Sequence, residues 1–185
     1  MIIWINGAFG AGKTTTSELL HQQLPEAHLF DPEIIGHILQ KTFPAVRRMD
    51  YQDLQMWRKL VIQFINEALL QFPQPLIIPM TLVVPDYLNE IFSEVSQAEN
   101  PFLHFFLQTS KEELTRRINN QVIVDDDLEQ DARVRQWRLD QIDRCISAEK
   151  KMPQETIFLN TVTLSPDQLV QQMLLAFDNH QAPHA

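Results

Sequence analysis

Hydrophobic positions along the chain fall into short apolar runs alternating with stretches of helical period. Ile2-Ile3-Trp4-Ile5 opens as a fully apolar run, the pattern of a strand buried on both faces. From Thr14 to Leu24 the spacing predicts a helix with Leu19, Leu20 and Leu24 inward. Ala27 to Phe30 and Leu76 to Thr81 predict the second and third strands, with regular pairing stopping at Pro79 because proline cannot donate to a ladder. Between them, Trp57, Val61, Phe64, Ile65 and Ala68 place a long helix over Leu54 to Leu70, with Trp57 in the core. Pro85 to Val95 predicts a covering helix with Leu88, Ile91, Phe92 and Val95 on one face, and Phe102 to Leu107 a fourth strand with His104 in the core or at the edge. Ser110 to Glu113 forms a capping box ahead of a helix ending near Ile118. Helix resumes from Ala132 to Lys151, Thr156 to Leu159 is the fifth strand, and Ser165-Pro166-Asp167-Gln168 opens a last amphipathic helix that frays from about Asn179. Five strands separated by helices predict a three-layer αβα fold around a five-stranded parallel sheet, with residues 1–185 as one domain.

Glycine placement changes the picture from fold to function. The chain has four glycines, and Gly7, Gly10 and Gly12 lie within Gly7-Ala8-Phe9-Gly10-Ala11-Gly12-Lys13-Thr14. This matches the phosphate-binding pattern G-x-x-x-x-G-K-S/T, in the required order of strand, loop and helix. Chance alone would produce the four fixed positions in about one chain of this length in a hundred. Backbone N–H groups from Gly7 to Thr15, backed by the helix dipole, are expected to surround a nucleotide's phosphates. Lys13 would place a mobile charge at the β- and γ-phosphates, and Thr14 a hydroxyl on Mg²⁺, making ATP and Mg²⁺ the expected cofactors.

The ligand of an open α/β sheet lies beyond the carboxyl ends of its strands, so Asp31, just after the second strand, faces the γ-phosphate if that strand neighbours the first. It can act as general base for an acceptor hydroxyl, as a carboxylate holding Mg²⁺ through water, or as a helix cap before Pro32. The third strand has no terminal aspartate, which adds weight to Asp31. Met80 and Thr81 are expected at the cleft mouth as substrate contacts. Arg58 is either a cleft residue or an exposed helix arginine, and Arg47 and Arg48 either an anion clamp or a solvated surface. Arg116 and Arg117, near the end of the helix after the fourth strand, can reach transferring phosphate charge. Residues 119–131, with Asp125-Asp126-Asp127 in a row, have the look of a mobile acidic lid loop.

With 24 acidic against 15 basic residues and a net charge of −9, a general nucleic-acid surface is disfavoured. One cysteine excludes an internal disulfide and points to the cytosol. No apolar run is long enough to span a membrane, and Met1-Ile2-Ile3-Trp4 lacks the basic region of a signal peptide. The amphipathic last helix either packs on the sheet or touches a membrane surface. Nothing in the pattern sets an oligomeric state.

The segments Met1 to Thr14, Phe30-Asp31-Pro32-Glu33, Ile78-Pro79-Met80-Thr81, Ser110-Lys111-Glu112, Arg117-Ile118 and Gln141-Ile142-Asp143-Arg144-Cys145 resemble the bacterial tunicamycin-resistance P-loop proteins. More distantly the chain is similar to adenylate-kinase-like small-molecule kinases, including chloramphenicol phosphotransferases. The resemblance implies a nucleoside-kinase-like P-loop fold and an ATP-dependent phosphotransferase for a hydroxyl of tunicamycin or a related nucleoside- or sugar-containing compound. It implies that Asp31 activates that hydroxyl, that Arg117 is a lid arginine, that Arg144 faces phosphate, and that adenine packs near Asn160 and Thr161. One departure concerns the lid: a second arginine common in relatives is here Gln121. Either Arg116, Arg133 or Arg138 supplies that charge, or closure is weaker. An ATP-dependent drug sequestrant and a nucleotide or metabolite kinase are the other two readings, the last favoured if Arg47, Arg48 and Arg58 clamp an anion.

Overall fold

The computed structural model describes residues 1–47, 49–96 and 101–181, so the reading of Arg48 and that of the tail beyond Gln181 lie outside the described residues. Strands β1 (Ile2–Gly7), β2 (His28–Leu29), β3 (Leu76–Pro79), β4 (Phe102–Gln108) and β5 (Ile157–Asn160) form one parallel sheet in the order β2-β3-β1-β4-β5. β1 is central and buried along its whole length, which is why its sequence is apolar without alternation. β3 ends at Pro79, as proline requires, and Met80 N–H then donates to Ile5 O at 3.0 Å.

Alternate residues of β1 feed two cores. Ile3 and Ile5 pack with Leu20 of α1 (Lys13–Gln23) and with Leu169, Val170, Met173 and Phe177 of the last helix (Pro166–Gln181). The amphipathic stripe of that last helix therefore packs against the protein's own core. Ile2 and Trp4 face Trp57, Val61 and Ile65 of α3 (Gln55–Gln71) and Leu88, Ile91 and Phe92 of α4 (Pro85–Val95). Phe64 departs from the predicted stripe: it is 47% exposed and stacks on Phe30 with ring centroids 4.1 Å apart. Burying both faces of one sheet in this way supplies the large apolar area on which stability depends. His104 is buried as expected, its Nδ1 2.9 Å from Thr156 Oγ1.

α2 (Glu33–Thr42) follows β2, and α5 (Lys111–Asn120) follows β4. Ser110 caps α5 through Glu113 N–H at 3.2 Å, but the Glu113 carboxylate pairs with Arg116 and Arg117 instead of closing the box. The box at Ser165 is reciprocal, with Gln168 N–H on Ser165 Oγ and Ser165 N–H on Gln168 Oε1. The acidic stretch is shorter as a loop than expected. Only residues 121–127 lack helix, and α6 (Leu128–Asp140) starts inside it with Asp127 accepting from Gln130 N–H at 2.8 Å. Asp131 ties the loop down by accepting the N–H groups of Ile123 and Val124 and pairing with Arg135. Those two N–H bonds, then Arg135, hold its carboxyl at about 2, well below the usual range. Helix breaks after Asp140, and α7 (Ile142–Ala148) sets off anew, so the predicted continuous helix from Ala132 is two.

The fourth glycine has a structural role that its position in the sequence conceals. A Cβ at Gly36 would lie 2.5 Å from the Tyr51 ring, so α2 and Tyr51 meet only because that atom is missing. Gly36→Ala is expected to lower unfolding free energy by about 1–2 kcal/mol despite its better helix propensity, read by urea denaturation.

Candidate functional site: a phosphate loop between two cavities

β1 hands directly to the glycine loop. Gly10 and Gly12 hold φ of 80° and 100°, a region that L side chains rarely enter, and no side chain caps α1, whose N-cap residue is Gly12. The first N–H groups of α1 therefore lack a side-chain acceptor of their own, the condition for binding an anion there. Ala8 and Ala11 bury their methyl groups, and Ala11 N–H donates to Ala8 O at 3.1 Å, closing the loop on itself. Lys13 Nζ donates to Gly7 O at 3.1 Å and Ala8 O at 3.0 Å and lies 5.5 Å from the Phe9 ring centroid. Burial lowers its ammonium to about 8, against the opposing pull of Glu33.

A cavity of about 330 Å³ opens over this loop, lined by Lys13, Thr14, Thr15, Asp31, Glu33 and Arg138 among others. Asp31 reaches it by a different route from the one expected. β3 lies between β2 and β1, so β2 is not the neighbour of the central strand. Asp31 Oδ1 accepts Glu33 N–H at 2.9 Å, so the capping role is present alongside its place in the cavity wall. Glu33, two residues further along the same motif, was not singled out from the sequence. Its carboxylate lines this cavity and the next.

The second cavity, about 510 Å³, shares Phe9, Glu33 and Arg138 with the first and extends past Tyr51, Trp137, His37 and Arg47. Phe9 and Trp137 meet edge to face, their centroids 4.9 Å apart, joining the loop to α6. Burial, then the neighbouring Glu33 carboxylate, pushes the Tyr51 phenol well above its ordinary value, so it stays a donor. A third, smaller cavity of about 210 Å³ lies between Gly10, Gly12, Arg117, Gln121 and Thr161. Arg117 spans it, donating to Thr161 O at 2.9 Å and Ala11 O at 3.3 Å while pairing with Glu113.

Several expected site residues sit elsewhere. Arg144 is 3.6 Å from Asp50 and lines neither of the first two cavities; the arginine common to both is Arg138, which burial makes a weaker base than usual. Six residues apart on helical backbone, the two arginines stand about 120° from one another round the axis, so they do not face the same cavity. Arg116 and Arg133 pair with Glu113 and Glu129 on the surface. Arg58 is buried and bonded to Glu90 and to Gln52 O, over the Tyr87 ring, not in the cleft. Met80 and Thr81 are also buried, 1% and 0% exposed, beneath the loop and not at its mouth. Asn160 and Thr161 part company: Thr161 lines the small cavity, whereas Asn160 caps its own turn through Val162 and Thr163 N–H and borders a different hollow.

A parallel sheet carrying this glycine loop at the end of its central strand defines a P-loop protein of the kinase-like αβα type. Residues 2–146 match the family model described as an AAA domain, and the chain belongs to that family. The tunicamycin resistance protein of Deinococcus radiodurans is similar in structure, with a TM-score of 0.71 and 27% identity over 95% of this chain and 94% of that one. The resemblance read from the motifs is thus borne out. A gluconokinase from Sinorhizobium meliloti (TM-score 0.60, 13% identity, 96% and 91% covered) and shikimate kinase from Aquifex aeolicus (0.53, 16%, 97% and 97%) share the fold. No curated protein matches the sequence. Among the described residues no helix is long and apolar enough to cross a membrane.

The lowered Lys13 value gives a pH dependence of definite sign. A bound polyphosphate raises the ammonium's pKa above its free value, so affinity is full below about pH 8 and falls, by up to about tenfold per unit, as pH rises through it. Titration of ADP without Mg²⁺ between about pH 7 and 10 is expected to show this fall, and Lys13→Met a weak, flat profile.

Proposed function

We propose that the chain, acting as one kinase-like domain, is an ATP- and Mg²⁺-dependent phosphotransferase for a hydroxyl of a small, uncharged, sugar- or nucleoside-containing acceptor. Tunicamycin is the first compound to try, given what the Deinococcus relative is named for. The observation that carries the reading is the pair of cavities sharing Phe9, Glu33 and Arg138, one over the phosphate loop and one beside it. Donor and acceptor can then meet across a common wall, and positioning is the main contribution of such enzymes.

The uncapped start of α1 and the left-handed Gly10 and Gly12 fit a polyphosphate. Mg²⁺, once bound with it, would supply neutralisation of the phosphate charge. Thr14 would hold that ion directly, and Asp31 through water. Lys13 and Arg138 neutralise charge on the transferred phosphoryl group, and Arg117 with Thr161 frames the base. Asp31 takes the acceptor's proton or orients its hydroxyl. Residues 121–127 with α6 act as the lid, bringing Trp137 onto Phe9.

The walls of the second cavity favour an uncharged acceptor. Arg47 and Arg138 are balanced there by Glu33 and Asp50, while Arg58 is committed to Glu90. Tyr51 and Trp137 offer aromatic faces of the kind that sugars and bases pack against. A sequestrant that binds without turnover is the second reading, and β3 supports it by ending in Pro79 with no carboxylate for the metal.

Mass spectrometry of tunicamycin incubated with MgATP and the protein is expected to show a gain of one phosphate with matching ADP release. Asp31→Asn should slow that turnover by roughly 10²–10⁴-fold with ATP affinity nearly intact. Tight binding of an unmodified drug without ADP release would replace the kinase reading with sequestration. Equal loss of turnover and ATP affinity in Asp31→Asn would instead make it a metal-holding or structural residue.

A further inference from the structure

Two carbonyl oxygens hold Lys13, those of Gly7 and Ala8. Reaching a phosphate means leaving both, and a buried acceptor left without a donor is costly. Each of the two already has a second donor. Ala8 O also accepts Ala11 N–H at 3.1 Å, and Gly7 O accepts the Thr81 hydroxyl at 2.8 Å. Gly7 is buried and Thr81 fully so, which makes the Thr81 hydroxyl the donor that stays with Gly7 O.

The hydroxyl is well anchored. Thr81 O accepts Gln52 Nε2 at 3.0 Å, and the Gln52 carbonyl is in turn held by Arg58. The next residue, Leu82, is bonded through both its N–H and its carbonyl to the Asn6 side chain, at 3.0 and 2.7 Å. Asn6 Oδ1 also accepts Gly7 N–H at 2.8 Å. The segment after β3 is thus fastened to the root of the phosphate loop on both sides of Thr81. Its threonine is fully buried and is not among the residues lining the cavity that Lys13 lines.

We infer that Thr81 is a positioning residue for Lys13: its hydroxyl keeps Gly7 O bonded when the ammonium departs, so that the lysine transfers from loop to phosphate without orphaning a buried carbonyl. The inference rests on the reading that the loop binds ATP. It also gives the buried Arg58 and Gln52 a place in the same chain of contacts, behind the loop and not in the cleft.

ATP binding measured by calorimetry on single and double variants tests it. Thr81→Val keeps the shape and removes the donor, so ATP affinity is expected to fall roughly 5–100-fold, the range spanned by an unmet buried acceptor. Thr81→Ser restores the hydroxyl and should bind within about threefold of the parent. In a Lys13→Met background no ammonium has to leave, and Thr81→Val should then change affinity by less than about twofold. A merely structural role would weaken binding equally in both backgrounds, and that result overturns the inference, as does parental affinity in Thr81→Val. Thr81→Ala serves as a second hydroxyl deletion should the valine disturb folding, with the same dependence on Lys13 required. If the parent itself fails to bind ATP, the nucleotide reading falls and takes the inference with it; if the parent binds and the cycle shows no coupling, only the inference falls.

Discussion

The arrangement depends on one constraint: a loop that offers bare N–H groups to an anion must spring from something that does not move. β1 meets it by being paired on both edges and buried on both faces, with Ile3 and Ile5 in one core and Ile2 and Trp4 in the other. At its last residue the backbone is gripped by side chains as well, Asn6 on the Gly7 N–H and Thr81 on the Gly7 carbonyl. Elements near the loop then approach from separate directions: Asp31 and Glu33 from the start of α2, Arg117 from α5, and Trp137 and Arg138 from α6. Phe9 is the one loop side chain that the cavity over the loop and the one beside it share, along with Glu33 and Arg138.

Charge is distributed against the protein's overall sign. The chain carries −9, yet Lys13 and Arg138 are both drawn into the low-dielectric wall of one cavity, each with its basicity reduced by burial. Glu33 offsets that reduction at both cations. Such a site is held in balance by its own carboxylates, and a polyphosphate entering it meets cations weakened by desolvation but not isolated.

Most of the fold was legible because each element carried its own local signal. The strands announced themselves as short, mostly apolar runs, β-branched in β1 and β3, α4 by a four-residue stripe, and the phosphate loop by glycine spacing. What escaped depends on how distant parts meet. Strand order is not written in any one segment, so Asp31 could be assigned to the cleft but not the path by which it gets there. Thr81 looked like a cleft residue because it follows a strand end, but Gly7 O and Asn6 draw the segment beneath the loop. Arg138 and Arg144 lay on what read as one helix but on different faces of it, and which face meets the cavity is set by packing against distant elements. Arg58 was undecidable from periodicity, since its partner Glu90 belongs to another helix.

The three tryptophans are not equivalent. Trp4 and Trp57 are fully buried in the same core, whereas Trp137 is 42% exposed and leans on Phe9, which the cavity over the loop shares with the one beside it. Any change in indole environment caused by a ligand therefore falls on a single residue, against a background of two that are shielded from solvent. The molecule carries its own optical reporter, placed by its packing against the phosphate loop, and needs no added label.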